Sequence, residues 1–365
     1  LDLNGHTISY AAGQKESLFR VGEMAKNGNG YGGSLTIKDS SQVRINDIEE
    51  GSGLPAKVEF TAADWNNGYH GSYNPDTKTV VYYLTESNGA ANAEEGALTS
   101  VSDETVETTY KHTISFAGVG AIENTNSEKA PHLIAMANNG TLTIEGGRLT
   151  NLYGNAIEAI EDETRAINIT NGYLVGNGTS TCFDWGGAIH MDGSGSIHVG
   201  EGAVIAGNKS KDLGGGIHAD LQNRGTLRIT VEEGSVIAGN ECSGKGGGIS
   251  ITGAELTING GSICSNEAKT DGGGINVNTG TLTLNGGSVT NNYATNGGGG
   301  IHVNGSLDMS GGVIAGNTAG WAGGGLYISQ ADSGTISGGI IASNRARAEG
   351  GGIRLNTGHV IMEAA

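Results

Sequence analysis

From Gly186 onward one short phrase recurs seven times: GGAI ending at Ile189, GGGI ending at Ile217, Ile249, Ile275, Ile301 and Ile353, and GGGL ending at Leu326. Successive copies lie 28, 32, 26, 26, 25 and 27 residues apart. A second phrase, an aliphatic residue followed three positions later by Asn, keeps the same beat. It falls at Leu174/Asn177, Ile205/Asn208, Ile237/Asn240, Ile263/Asn266, Val289/Asn292, Ile314/Asn317 and Ile341/Asn344. Two markers locked in phase define a structural unit of about 26 residues. A unit that short cannot bury its own apolar face and must stack on its neighbours.

Within a unit apolar and polar residues alternate at period 2, as in Ile275/Val277 against Asn276/Asn278 and Ile301/Val303 against His302/Asn304. A second short strand follows at Leu142/Ile144, Leu227/Ile229, Leu256/Ile258, Leu282/Leu284 and Leu307/Met309, and a third carries the Ile-x-x-Asn phrase. Three short strands with their turns leave no length for a helical crossover. The predicted fold is therefore all-β: a parallel β-helix, a solenoid of three short strands per coil of about 26 residues, with rungs about 4.8 Å apart. Eight rungs from Ile157 onward imply a rod of roughly 40 Å. The glycine triplets belong at one corner, where φ is positive and stacked corners exclude a Cβ. The Asn residues belong at another, where amides bond up and down the column, a structural role and not a ligand role.

The chain has 67 Gly but only 3 Pro and 4 Phe in 365 residues. Glycine without a triplet period excludes collagen, and the recurring aliphatics exclude a disordered linker. Scarce aromatics fit a narrow core. A net charge of −18 argues against nucleic acid or anionic membrane as a partner. The acid concentrates between Glu86 and Glu163, which reads as a solvated face or loop. Cys182, Cys242 and Cys264 cannot all pair, Cys242 and Cys264 do not fall opposite each other on neighbouring rungs, and all three read as free thiols. No stretch approaches membrane-spanning length, and no glycine-rich segment is followed by the Lys-Ser/Thr of a phosphate loop.

Three regions are expected: N-terminal coils over 1–50, an inserted irregular or hairpin subdomain over 51–125, and regular repeats over 126–365. The insertion holds Trp65, Tyr69, Tyr73, Tyr82 and Tyr83, with Asn74-Pro75-Asp76 as a hairpin turn. Aromatics need a wider core than a coil offers, so the insertion should lie on the rod; a sugar-stacking surface is the alternative. The chain opens inside a strand, LDLNGHTI, and ends soon after another, so it is expected to be part of a longer protein.

Aligned units expose one unusual patch. The outward position after each marker reads Glu158, His190, His218, Ser250, Asn276, His302, Tyr327, Arg354; two further on come Ile160, Asp192, Asp220, Thr252, Asn278, Asn304, Ser329, Asn356. With Asp184 and Asp212 five residues before the marker, DWGGAIHMD and DLGGGIHAD are one phrase on adjacent rungs. Stacking sets His190 beside His218 and Asp192 beside Asp220, about 5 Å apart. Paired carboxylates repel unless a cation or the histidines neutralise them. The patch has three readings. One is solvated strands of alternating charge. The second is a metal site in which two His and two Asp offer ligands to Ca²⁺ or Zn²⁺. The third is a carboxylate pair for glycoside hydrolysis, which needs about 5–5.5 Å for retention. On the last reading Asp192, Asp220, Asp184, Asp212, His190 and His218 are catalytic candidates, and Trp185 and Glu158 contact substrate.

GGGI and Ile-x-x-Asn phrases in phase resemble the repeat-rich surface proteins of bacteria, including adhesins and chlamydial polymorphic outer membrane proteins. In that family a GG-aliphatic phrase pairs with F-x-x-N, and this chain has Ile, Val or Leu where the family has Phe. The phrases also resemble the pectate-lyase-like superfamily, which includes lyases, polygalacturonases and glycosidases. The resemblance covers 140–360 well, 1–40 loosely and 51–125 not at all. It implies a right-handed coil and a secreted or cell-surface bacterial module: an adhesin or stalk that binds polysaccharide or host glycan, with a carbohydrate-active enzyme as the alternative. No cofactor is expected, with Ca²⁺ as the one ion to consider.

Overall fold

The computed structural model describes residues 1–9, 17–22, 33–41, 46–47, 56–58, 71–87, 107–116, 119–125, 132–137, 139–160, 164–179, 185–222 and 225–363. Among them there is no helix, and the chain is an all-β parallel solenoid built on three ten-stranded sheets. One sheet carries the glycine-marker strands, among them Ile189–Asp192, Ile217–Asp220, Ile249–Thr252, Ile275–Val277, Ile301–Val303 and Leu326–Ile328. Another carries the strands that lead into the Asn ladder. A fourth, six-stranded sheet of two-residue strands runs between ladder and glycine corner, from Lys209–Ser210 to Arg345–Ala346.

Register follows the repeat. Ile189, Ile217, Ile249, Ile275, Ile301 and Leu326 are successive partners and each is fully buried. Met191, Ala219, Ile251, Val277, Val303 and Ile328 form a second inward column. Such stacks are the energetic core, each buried aliphatic contributing roughly 1.5–3 kcal/mol. At the ladder corner Asn208, Asn240, Asn266, Asn292 and Asn317 each donate from Nδ2 to the Oδ1 of the next ladder Asn, over 2.8, 2.9, 3.0, 3.0 and 2.9 Å.

The glycine corner divides its labour. The first glycine of each triplet takes positive φ, +61° at Gly214 and +67° at Gly272. The second has no room: a Cβ on Gly273 would lie 2.3 Å from the carbonyl oxygen of Gly299 on the next rung.

The N-terminal strands Thr7–Ser9, Phe19–Val21 and Ser34–Ile37 form the first rung, pairing with Ala121–Asn124, Ile134–Met136 and Thr141–Ile144. Between those rungs the chain leaves the solenoid for a five-stranded antiparallel sheet. Asn46–Asp47 already belongs to that sheet and Ala121–Asn124 is back in the solenoid. Asn74 Oδ1 accepts from the amides of Asp76 and Thr77 and so turns the hairpin. Trp65 and Tyr69, named above, lie outside the described residues.

The excursion docks on the outer face of the ladder sheet. Val80, Tyr82, Ile114, Phe116 and Val119 cluster with Val175, Val204, Ala206, Ala238 and Cys264. Ladder strands are apolar on both faces for this reason. Tyr73 sits against glycines; a Cβ on Gly207 would lie 2.5 Å from Tyr73 Cβ. Ser265 Oγ accepts from the Tyr83 amide and donates to its carbonyl, each at 2.8 Å. Tyr73 and Tyr82 are thus used for packing and not for an exposed sugar-stacking surface. Cys242 and Cys264 are buried free thiols, while Cys182 lies outside the described residues.

Candidate functional site

Solvated strands were one of the three readings of the outer face of the marker sheet, and the inner row of that face is buried. His190, His218, Ser250, Asn276, His302 and Tyr327 point away from the core yet are all buried. The turns that precede the glycine corner approach the sheet from outside and cover this column. Gly297 lies so close to Tyr327 that a Cβ there would sit 2.4 Å from the ring. Trp185 packs edge-on to His190 and His218, with centroids at 5.5 and 5.8 Å. The second outward column, from Asp220 to Ser329, stays partly open, so the face is a groove with a buried inner row.

At the Trp185 end, neighbouring strands pair His190 with His218 and Asp192 with Asp220 in the expected register. The two imidazoles stack at 5.5 Å with 30° between planes. His190 Nε2 meets Asp192 Oδ1 at 3.1 Å, and its Nδ1 faces Glu158 Oε1 at 3.8 Å. Glu158 also pairs with His132. The exposed Gln222 ties both aspartates: its side-chain amide donates to Asp192 Oδ2 and its backbone amide to Asp220 Oδ1, each at 2.8 Å.

Burial works against charge on both Glu158 and His190, but their partners win. Contacts with His132 and His190 hold Glu158 at about 2, and Asp192 with Glu158 raises His190 to about 9. His218 moves the other way, to about 3, through burial and then the charge on His190. One cation, His190, therefore sits between two carboxylates, with a neutral imidazole stacked on it. Glu158, read both within an acidic solvated face or loop and as a substrate contact, is a half-buried partner of His132 and His190.

Among the other predicted residues, Asp184 lies outside the described residues. Asp212 is half-buried in the turn before its glycine corner, outside the group of His190, Asp192 and His218, whose ligand atoms come within 4.8 Å of one another. Trp185 is 40% exposed and so presents one face to solvent.

A second constellation lies further along the same face. Lys245, Asp271, Asn296 and Trp321 from successive turns rim an open pocket of about 350 Å³, whose other walls are His302, Tyr327, Asn304 and Ser329. Trp321 is 44% exposed and stands edge-on to Tyr327 at 5.7 Å. Lys245 and Asp271 pair at 3.3 Å. His302 Nδ1 meets Asn276 Oδ1 at 2.8 Å and its Nε2 meets Ser329 Oγ at 3.0 Å. Asn276 in turn donates to Ser250 Oγ at 3.1 Å. An amide oxygen only accepts, so neutral His302 carries its proton on Nδ1 and accepts from Ser329. Burial holds His302 down at about 4, Lys245 opposing its charge while Asp271 favours it. This pocket was not singled out above, nor were Gln222 and His132. The available signal was an aromatic in the turn followed by another in the outward column, as in Trp185/His190 and Trp321/Tyr327.

Fold and site together define the chain as a parallel β-helix protein with a grooved, aromatic-rimmed polar face. Comparison with family models, curated proteins and solved structures gave no match. Among the described residues no helix is long and apolar enough to cross a membrane.

Proposed function

We propose that this chain is a secreted or cell-surface β-helix module of bacterial type, an adhesin or stalk that binds polysaccharide along its marker face. The observation that carries this reading is the Trp321 pocket. An exposed indole beside a floor of Asn, Ser and His side chains offers what a sugar needs, a flat apolar face with donors and acceptors in fixed positions. Trp185 repeats the arrangement toward the other end of the groove, so an extended chain could meet both. The adhesin resemblance of the sequence supports the same reading.

A hydrolase or lyase working through Asp192 and Asp220 is less well supported. Gln222 occupies both carboxylates, and the described part of the excursion packs on the ladder sheet instead of walling the groove. The test is a glycan array followed by titration calorimetry on the best hit. Trp321→Ala should weaken binding at least tenfold while the melting temperature stays within a few degrees. Binding unaffected by both Trp321→Ala and Trp185→Ala would sink the reading. Product release from any glycan that is lost in Asp192→Asn or Asp220→Asn would replace it with the enzyme.

A further inference from the structure

The geometry points to a transition-metal site on the marker face, with His190, Asp192 and His218 as its ligands and Zn²⁺ as the ion they suit. His190 and Asp192 are i and i+2 on one strand, so both side chains leave the same side of the sheet. His218 is the direct partner of His190 on the next strand. A nitrogen from each imidazole and an oxygen from the carboxylate lie within 4.8 Å of one another, and all three residues are buried. His190 Nε2 and Asp192 Oδ1 are 3.1 Å apart. Two ligands of a tetrahedral ion with bonds of about 2.0–2.1 Å stand roughly 3.3 Å apart, so the ion takes the place of the proton between this pair, which leaves to solvent, with almost no movement of the side chains.

The supporting shell is also present. A metal-binding imidazole presents its other nitrogen to a carboxylate, and a ligating carboxylate is itself hydrogen-bonded. Glu158 faces His190 Nδ1 at 3.8 Å, and Gln222 holds Asp192 Oδ2 at 2.8 Å. Nδ1 of His218 is buried without a hydrogen-bond partner. Arg165 Nη2 donates to the backbone carbonyl of Asp192, and Asp192 Oδ1 is the carboxylate oxygen turned toward His190 Nε2. Two imidazoles and one carboxylate select zinc-like ions over Ca²⁺ or Mg²⁺, which need six or more oxygen ligands or retained waters. The site would clamp two adjacent rungs together, and it does not depend on the glycan reading, which rests on Trp321.

The experiment strips the protein with EDTA and titrates it with Zn²⁺ against a chromophoric chelator, and separately with Co²⁺. The expected result is one equivalent of Zn²⁺, a visible Co²⁺ spectrum of a four-coordinate site, and a melting temperature that rises with Zn²⁺ and returns with EDTA. Asp192→Asn and His218→Asn should each weaken binding about 100-fold or more. Gln222→Ala, on an exposed turn, should weaken it about tenfold and covers the case in which a buried variant does not fold. Failure of the parent protein to take up one equivalent, or binding retained in Asp192→Asn, His218→Asn and Gln222→Ala alike, overturns the assignment.

Discussion

A ladder asparagine such as Asn266 answers several hydrogen-bonding demands at once. Its Nδ2 donates to Asn292 Oδ1 and to the carbonyl of Ile237, both at 3.0 Å, and its Oδ1 accepts from the amide and side chain of Asn240, both at 2.9 Å. No other side chain of that size both donates and accepts in this way, and aspartate would add a buried charge. Asn266→Ala strands several buried polar groups at about 1–3 kcal/mol each, so a loss of at least about 3 kcal/mol is expected in urea denaturation. A loss below about 1 kcal/mol would show that water or relaxation replaces the ladder. His302 makes a pH prediction. Its folded pKa, about 4, lies below the unfolded value near 6.5, so the unfolded chain takes the proton first. Stability is therefore lost as pH falls from about 6.5 to 4, by at most about 3 kcal/mol. His302→Gln should show a flatter stability profile across that window, and identical profiles would refute the buried neutral imidazole.

The elements are held by backbone proximity that only glycine permits. At the corner, Gly273→Ala would drive a methyl group to 2.3 Å from Gly299 O and 2.4 Å from Tyr293 O. A cost above about 2 kcal/mol is expected. Gly274→Ala should be milder, since its closest contact is 2.8 Å and the equivalent position on an earlier rung is already Ala188. The reverse order of midpoints in denaturant would mean the corner is not set by these carbonyls. The excursion is docked in a similar way, with Gly239 against Gly71 so closely that a Cβ would lie 2.6 Å from Gly71 Cα. Gly239→Val should lift the antiparallel sheet from the ladder sheet and expose its strands Thr79–Ser87 and Glu107–Ser115 to limited proteolysis while the solenoid stays resistant. Unchanged protection of those strands would place the sheet's anchor elsewhere.

Over the whole molecule, stability travels along the rod from rung to neighbouring rung. Ile275 sits in a central rung and is fully buried between Ile249 and Ile301. Ile275→Asp would put an unpaired charge in a core with nothing to pair it, and loss of the cooperative transition at room temperature is expected. A folded variant with a normal midpoint by circular dichroism would contradict the inward column.

The repeat made a great deal of this legible without coordinates. A period of about 26 residues sets the coil, and the coil sets register, so the inward columns, the Asn ladder and the pairing of His190 with His218 and Asp192 with Asp220 all follow from counting. Those features are local and recur on every turn. The rest depended on contacts between segments far apart in the chain or on the lean of a turn, and neither has a period. Phe19–Val21 joins the first rung across the whole excursion, pairing with Ile134–Met136. The excursion's place on the ladder sheet rests on Tyr73 meeting Gly176 and Gly207. The outward column is buried because turns carrying Trp185 and Trp321 come over it, which turns a surface that alternation reads as solvated into a groove. The sequence names the side chains of that groove, and the packing of turns against strands decides that they face one another.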